Sequence, residues 1–197
     1  EMMTKKMFPQ ARVLRMDLDT TSKKGGHEEI LSAFAEGDAD ILIGTQMIVK
    51  GHDFPDVTLV GVLAADLSLY TPDYRAAERT FQLLTQAAGR AGRDARHGDV
   101  IIQTYNPEHY SIVTAAEQDY ETFYHQEMAY RRLMKYPPVN VLFTVQMASK
   151  SEAALVEAAD RLAAHITPQA DEEKVQMIGP VDASVYKIND IYRKILY

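Results

Sequence analysis

Two runs of almost purely apolar residues constrain the fold of this chain more than any other feature of its sequence. They cover residues 41–44 and 57–65, and such continuous apolar strands are typical of a parallel sheet that is covered on both faces. Helical patterns alternate with them, the clearest over residues 27–36 and 73–92. Strands that alternate with helices predict an α/β fold with right-handed crossovers. Further strands of this part are predicted at residues 12–18 and 100–105.

A pair of prolines divides this part of the chain from the next. Tyr136-Pro137-Pro138 follows a helical pattern over residues 119–135, and paired prolines end a helix. Beyond them the patterns predict a helix from Ser151 and a hairpin at Asn189-Asp190. Strands are predicted at residues 141–148, 175–178, 183–188 and 191–196. The expected parts are an α/β lobe over residues 1–116, a helical connector over 117–138 and a smaller α+β domain over 139–197.

Composition narrows the class of protein. Of 197 residues, 46% are hydrophobic, but no apolar run is long enough to span a bilayer and no signal-peptide pattern occurs. We therefore expect a cytoplasmic protein without a membrane partner. The absence of cysteine excludes disulfides and thiolate metal sites, and the six histidines show no ligand spacing, so no metal site is predicted. The net charge of −7 argues mildly against a general nucleic-acid surface.

The candidate chemistry is concentrated in residues 86–93, which read Gln-Ala-Ala-Gly-Arg-Ala-Gly-Arg. A guanidinium is a permanent cation that suits the charge on a transferring phosphoryl group. Arg90 and Arg93 are expected at the end of a helix, where a spacing of three places them on one helical face. The alternative is that both arginines complement the helix dipole while Gly92 caps the helix.

A second candidate lies where the first apolar run ends. Gly44-Thr45-Gln46 follows the strand, and a short turn with Gly51 and Asp53 comes next. Backbone N–H groups at such a strand end are free to bind a phosphate. No Gly-x-x-x-x-Gly-Lys-[Ser/Thr] phosphate loop occurs among the 197 residues, so the chain cannot by itself cradle nucleotide phosphates and magnesium in the usual way.

The Gly44-Thr45-Gln46 segment, with the arginine segment at residues 86–93 about forty residues later, resembles motifs V and VI of superfamily 2 helicases. The resemblance narrows to the bacterial replication-restart helicases and extends over nearly the whole chain, through the runs at residues 12–21, 48–55, 72–81, 105–109 and 136–138. It implies a RecA-like, parallel-sheet second helicase lobe followed by a smaller α+β C-terminal domain. It further implies that the chain is the C-terminal part of an ATP-dependent DNA helicase that restarts stalled forks and assembles the primosome.

The resemblance also implies roles for individual residues. ATP and Mg²⁺ would be shared with a first lobe, and this chain alone is expected to lack ATPase activity. The implied residues are Gln86, Arg90 and Arg93 for catalysis, Gly51 and Asp53 for nucleotide binding, and Gly44, Thr45 and Gln46 for holding a phosphate of the single strand. The role of Asp17, Asp19 and Thr20 stays open. Members of the family carry a cysteine-rich zinc region that the chain is expected to follow, so zinc belongs to the parent and not to this chain.

For the C-terminal domain, the resemblance implies anionic partners. Lys187, Arg193 and Lys194 lie on two adjacent predicted strands, and we expect one face to collect their charges. The implied partners are fork and single-stranded DNA, the acidic tail of single-stranded DNA-binding protein and other primosome proteins, in the nucleoid of a bacterial cytoplasm. The alternative is that the three residues are solvated. The family continues beyond Tyr197, so a truncated domain is expected.

Two other functions remain to be weighed. If the chain does not pair with a first helicase lobe, it would act as a non-catalytic module that recruits replication proteins or DNA. A chromatin-type or RNA-directed translocase shares the arginine motif, but the runs at residues 48–55 and 72–81 fit the replication-restart helicases more closely.

Overall fold

The computed structural model describes residues 1–17, 20, 26–49, 54, 56–91, 98–171 and 174–197. They divide into two compact units, residues 1–127 and 128–197. The elements of the first unit are, in chain order, α1 (Met2–Met7), β1 (Val13–Met16), α2 (Gly26–Ala35), β2 (Ile41–Gly44), a 3-10 helix (Gln46–Val49), β3 (Leu59–Val62), a second 3-10 helix (Ala65–Ser68), α3 (Ala76–Ala88), β4 (Asp99–Ile102), α4 (Tyr110–Ala116) and the start of α5 (Tyr120–Met134).

The strands of the first unit are all parallel, as the apolar runs predict. Within the described residues they form two separate pairs, β1 with β2 and β3 with β4, rather than the single sheet expected. The predicted strand over residues 57–65 is shorter, because Ala64 adopts a left-handed conformation (φ 51°) and the second 3-10 helix begins there. One face of this pair is open, with Leu63 79% and Ile101 60% exposed.

Stacked aromatic rings form the core of the first unit. The rings of Phe81 and Phe123 are 4.1 Å apart and nearly parallel, and Tyr110 stacks on Phe123 at 5.9 Å. Leu84 and Ala115 are fully buried beside them. The core thus joins α3, α4 and α5 through side chains that lie far apart in the sequence.

Two helices of the first unit, α1 and α4, have no counterpart among the sequence predictions. At the start of α4, the imidazole of His109 accepts a hydrogen bond from the backbone N–H of Ser111. A histidine is not among the preferred N-cap residues, which are Ser, Thr, Asp and Asn. The sequence before α4 therefore lacks the usual start signal of a helix, which is why no helix was predicted there.

After α5, the elements of the second unit are β5 (Val145–Ser149), α6 (Glu152–Ile166), a 3-10 helix (Thr167–Gln169), β6 (Val181–Ile188) and β7 (Ile191–Leu196). Its strands form an antiparallel sheet in the order β5-β7-β6. Ser151 caps α6 by accepting from the N–H of Ala154. Leu155, Ala159 and Leu196 are the buried apolar residues of this unit.

The predicted hairpin is confirmed, and one predicted strand is wrong. Asn189 and Asp190 both have positive φ, 48° and 60°, as a two-residue type I′ turn requires. Residues 175–178 form no strand. Ile178 alone exchanges two backbone hydrogen bonds with Tyr197, each 2.9 Å. Pro180 has no N–H to donate, and Gly179 turns the chain with φ 111°.

Candidate functional site

At the end of β2, the space around Gly44 is too small for a side chain. A Cβ on Gly44 would lie 2.7 Å from the backbone oxygen of Met16, on the neighbouring strand, and 2.7 Å from Cγ2 of Ile48. Only glycine fits this position without displacing β1 or the 3-10 helix. The absence of a side chain at Gly44 therefore lets the end of β2 lie against Met16 of β1, just before Thr45 and Gln46. Both are exposed.

Helix α3 presents two faces with different chemistry. Its buried face carries Ala76, Thr80, Phe81, Leu84 and Ala87. The opposite stripe consists of residues 79, 82, 83 and 86, which follow the i, i+3, i+4, i+7 spacing of a single helical face. Three of these four are polar, namely Arg79, Gln82 and Gln86.

The polar stripe of α3 borders a cleft of about 570 Å³ in the first unit. We call it the α3 cleft, and its lining residues are Gln46, Leu67, Ser68, Thr71, Arg79, Gln82, Leu83 and Gln86. Gln46 and Gln86 were predicted from separate motifs, forty residues apart. The fold brings them to one cavity, because α3 packs against both 3-10 helices.

The structure corrects the expected placement of the first arginine. Helix α3 ends at Ala88, with Gly89 as its C-cap. The N–H of Arg90 bonds to the oxygen of Ala87 at 3.1 Å, so Arg90 lies in the turn after the helix and not on a helical face. Its side chain is half-buried. Arg93, Gly51, Asp53 and Asp19 lie outside the described residues.

Asp73 lies just before α3 and orients a cleft residue. Its Oδ1 accepts from the N–H of Arg75 at 2.9 Å, and its backbone oxygen accepts from the N–H of Ala76 at 2.9 Å. Its Oδ2 lies 2.8 Å from Nη2 of Arg79. Arg79 lies in the run at residues 72–81 that carries the resemblance, but no role was predicted for it. The available signal was Asp73 six residues ahead of it, whose carboxylate accepts from the N–H of Arg75 and also reaches the Arg79 guanidinium.

A buried carboxylate positions the second 3-10 helix. Asp66 is 3% exposed, and it accepts from Thr104 Oγ1 at 2.7 Å, from the N–H of Tyr105 at 2.8 Å and from the N–H of Asn106 at 3.2 Å. These bonds, that of Thr104 first, lower the pKa of Asp66. They tie the segment after β3 to the segment after β4, and so fix Leu67 and Ser68 at the cleft.

Two residues whose role was left open form a local turn. The N–H of Thr20 donates to Asp17 Oδ1 at 3.0 Å, and the N–H of Asp17 donates to Thr20 Oγ1 at 2.8 Å. The backbone bond from Thr20 is the main cause that lowers the pKa of Asp17. These hydrogen bonds join Asp17 to Thr20 just after β1.

The three C-terminal cations do not share one face, so this part of the prediction is wrong. Side chains of successive strand residues point to opposite faces, which separates Arg193 from Lys194 on β7. Lys187 pairs with Tyr192 in the sheet and therefore shares the face of Lys194. Whether these residues contact DNA stays a prediction.

Each of these cations also has a partner within the unit. Lys187 Nζ lies 2.9 Å from Asp190, which is the main cause that raises the pKa of this lysine. Lys194 Nζ donates to Asp182 at 2.8 Å. Arg193 donates to the backbone oxygen of Val185, at 3.0 Å from Nε and 2.6 Å from Nη2. Part of the positive charge is thereby balanced inside the domain.

Among the described residues, no cluster of three or more metal-ligating side chains occurs. The same residues include no helix of the length and apolarity needed to span a membrane.

Comparison with known proteins identifies the class of the first part of the chain. Residues 1–95 match the helicase conserved C-terminal domain, which is a RecA-like lobe. The chain is 53% identical over 188 residues to the replication restart protein PriA of Bacillus subtilis, covering 95% of the chain and 23% of the relative. It is 43% identical over 194 residues to PriA of Chlamydia pneumoniae, covering 98% and 26%.

The chain thus belongs to the PriA family, and it spans about a quarter of the length of these relatives. A third relative, PriA of Synechocystis, is 44% identical over 186 residues, with 94% of the chain and 22% of the relative covered. The resemblance recognised in the sequence is confirmed.

Proposed function

We propose that the chain is the second helicase lobe and the adjoining domain of an ATP-dependent DNA helicase that restarts stalled replication forks. The observation that carries the proposal is the convergence of Gln46 and Gln86 on the α3 cleft. A strand-contacting segment and an arginine motif must lie side by side if nucleotide state is to change the grip on DNA. The relatives are named replication restart proteins.

ATP would supply the phosphoryl group, with Mg²⁺ bound to its phosphates. The sequence contains no phosphate loop, so its own contribution to hydrolysis would be positive charge. Arg90 and Arg93 would stabilise the charge that develops on the transferring phosphoryl group, as arginine fingers do. Gln86 would orient the attacking water, and Gly51 and Asp53 would contact the nucleotide.

The second unit would contribute partner binding. Lys187 and Lys194 share a face and carry positive charge, which suits fork DNA or the acidic tail of single-stranded DNA-binding protein. Other primosome proteins are further candidates, in the nucleoid of a bacterial cytoplasm. A second function, that of a non-catalytic DNA-binding module, is favoured only for the chain in isolation, because its sequence holds no phosphate loop.

Substitution of Arg93 in a full-length parent protein tests the proposal. Arg93→Ala is expected to leave ATP binding intact and to lower DNA-stimulated turnover by roughly 10³- to 10⁵-fold, the range for loss of an arginine finger. Nucleotide binding and steady-state hydrolysis are measured in parallel. Arg161→Ala, which removes an exposed arginine of α6, is the control. Turnover within a few-fold of the wild type in Arg93→Ala would contradict the assignment.

A further inference from the structure

Four residues for which no role was predicted line the α3 cleft beside Gln46 and Gln86, namely Ser68, Thr71, Arg79 and Gln82. Resting on the helicase function proposed above, we propose that the cleft binds the sugar-phosphate backbone of single-stranded DNA and that Arg79 makes the charged contact. The strand contact would then extend beyond the Gly44-Thr45-Gln46 segment to Arg79 and Gln82 of α3.

The chemistry of the lining is that of a backbone-binding surface. Three glutamines and two hydroxyl residues supply neutral hydrogen-bonding groups, and one arginine supplies a cation. Such groups make most protein contacts to phosphates and sugars. None of the described lining residues is acidic, although the chain as a whole has 28 acidic and 21 basic residues. Carboxylates reach these residues only from outside the described lining, Asp73 at Arg79 and Glu78 at Gln82.

Arg79 is held in place for this contact. One of its nitrogens, Nη2, is 2.8 Å from Asp73, and the side chain is 52% exposed. A guanidinium has five N–H donors in a rigid fork, so a single bond to Asp73 can orient the group without exhausting it. Its neighbour on the stripe, Gln82, lies about one turn further along the cleft. Gln86, to which the proposed function gives the attacking water, follows at the end of the stripe.

The charge of the α3 cleft favours a phosphodiester over a nucleoside triphosphate as its ligand. Among the described lining residues Arg79 is the only cation, and it is partly balanced by Asp73, so these residues alone offer too little positive charge for a nucleoside triphosphate. A phosphodiester carries a single charge per nucleotide, which one arginine and neutral donors can match. The volume of about 570 Å³ lies within the roughly 300–1,000 Å³ of small-ligand pockets, enough to seat a short stretch of strand.

Binding of a fluorescein-labelled oligothymidylate to the 197-residue chain tests this inference. The oligonucleotide has about 20 nucleotides, more than a single-strand site of roughly 4–16, and anisotropy is followed from low to physiological salt. Arg79→Ala is expected to weaken binding about tenfold and to reduce the slope of log K against log salt by about 0.7, the value for one contact to a single strand. Gln82→Ala is expected to weaken binding about threefold, by loss of one neutral hydrogen bond, with little change in the slope.

Arg75→Ala is the matched control. Arg75 is also close to Asp73, at 3.9 Å, but it does not line the cleft, so binding should stay within twofold of the wild type. Thermal unfolding checks that each variant is folded. Equal losses in Arg79→Ala and Arg75→Ala, or an unchanged affinity in Gln82→Ala and Arg79→Ala, would overturn the assignment.

Two further outcomes would also overturn it, namely displacement of the oligonucleotide by ATP at equal concentration and the absence of binding by the wild-type chain at low salt. Loss of hydrolysis in Arg93→Ala of a full-length parent would remain a separate result, so failure of the cleft is distinguishable from failure of the helicase function.

Discussion

At the scale of single residues, Asp66 shows how one carboxylate can organise two segments. It follows β3 and accepts three hydrogen bonds from residues that follow β4. Hydrogen bonds to the ionised form stabilise it, which is why the pKa of Asp66 is lowered. The sequence marked Asp66 as the residue that ends an apolar run, but its partners lie 38 to 40 residues away. No local pattern reports such a contact.

Asp66→Asn is expected to lower the melting temperature by several degrees, because an amide NH₂ would replace an oxygen that accepts an N–H. The pKa of Asp66 is lower in the folded chain than in the unfolded one, so the stabilisation is present above the ordinary carboxyl value of about 3.9 and is lost as pH falls below it. The difference between wild type and variant should therefore shrink below about pH 4. Thermal unfolding from neutral pH down to pH 3 measures this. Asp160→Asn, on an exposed part of α6, is the control, and equal melting temperatures for both variants at neutral pH would contradict the prediction.

At the scale of elements, local signals predicted much of what the structure contains. β2 and β7 match their predicted bounds, and α6 begins after its Ser151 cap. The end of α3 was placed too late, because Gly89 and Gly92 are both possible end signals and the helix ends at the first of them. The predicted strand over residues 175–178 is wrong, because an alternation of apolar residues does not show whether a neighbouring strand is available for pairing. The α3 cleft depends on packing between elements far apart in sequence. Of its lining residues, the sequence motifs therefore predicted only Gln46 and Gln86 as site residues.

Two strand glycines provide a matched pair for testing the packing at β2. Gly44→Ala is expected to destabilise the chain by about 1–3 kcal/mol, since the added Cβ meets a backbone oxygen that cannot move alone. Gly61→Ala, in β3, has open space around the added Cβ and should be neutral or stabilising by up to about 1 kcal/mol. Urea unfolding measures both. Similar free energies of unfolding for the two variants would show that the close approach at Gly44 is not limiting.

The β6–β7 hairpin gives a second test at this scale. Asn189→Ala is expected to cost about 1 kcal/mol, because alanine pays the full penalty of a left-handed conformation. Asn189→Gly should be close to neutral, as glycine adopts positive φ freely. Asn140→Ala, at an exposed bend without positive φ, serves as the control. Chemical unfolding separates the three, and a glycine variant as unstable as the alanine variant would rule out the turn as the cause.

At the scale of the whole molecule, the family match and the compact units divide the chain at different places. The helicase C-terminal domain lies in residues 1–95, and the compact second unit begins only at residue 128. The alternation of strands and helices predicted an α/β chain, and the family resemblance supplied the assignment to a helicase. The net charge of −7 argued mildly against a nucleic-acid surface, but the proposed contact through amides, hydroxyls and one arginine would hardly alter the net charge.

The 197-residue chain is expected to show no ATPase activity above background, with or without DNA. The reason is chemical, since no sequence in it can cradle the phosphates and Mg²⁺ together. Phosphate release by highly purified protein, compared with buffer and with the Arg93→Ala variant, measures this. DNA-stimulated hydrolysis that disappears in Arg93→Ala would mean that the chain is a complete catalyst on its own.

The carboxylate of Asp66 has a consequence for hydrogen exchange. Tyr105 projects a side chain that is 87% exposed, in a segment outside any helix or strand, and such a position ordinarily suggests rapid exchange of its amide with deuterium. Its N–H donates to a buried acceptor, as does that of Asn106. Both amides should therefore exchange slowly, at rates governed by the opening of the first unit and not by local fraying. A peptide that looks like a surface loop would carry the protection pattern of the core.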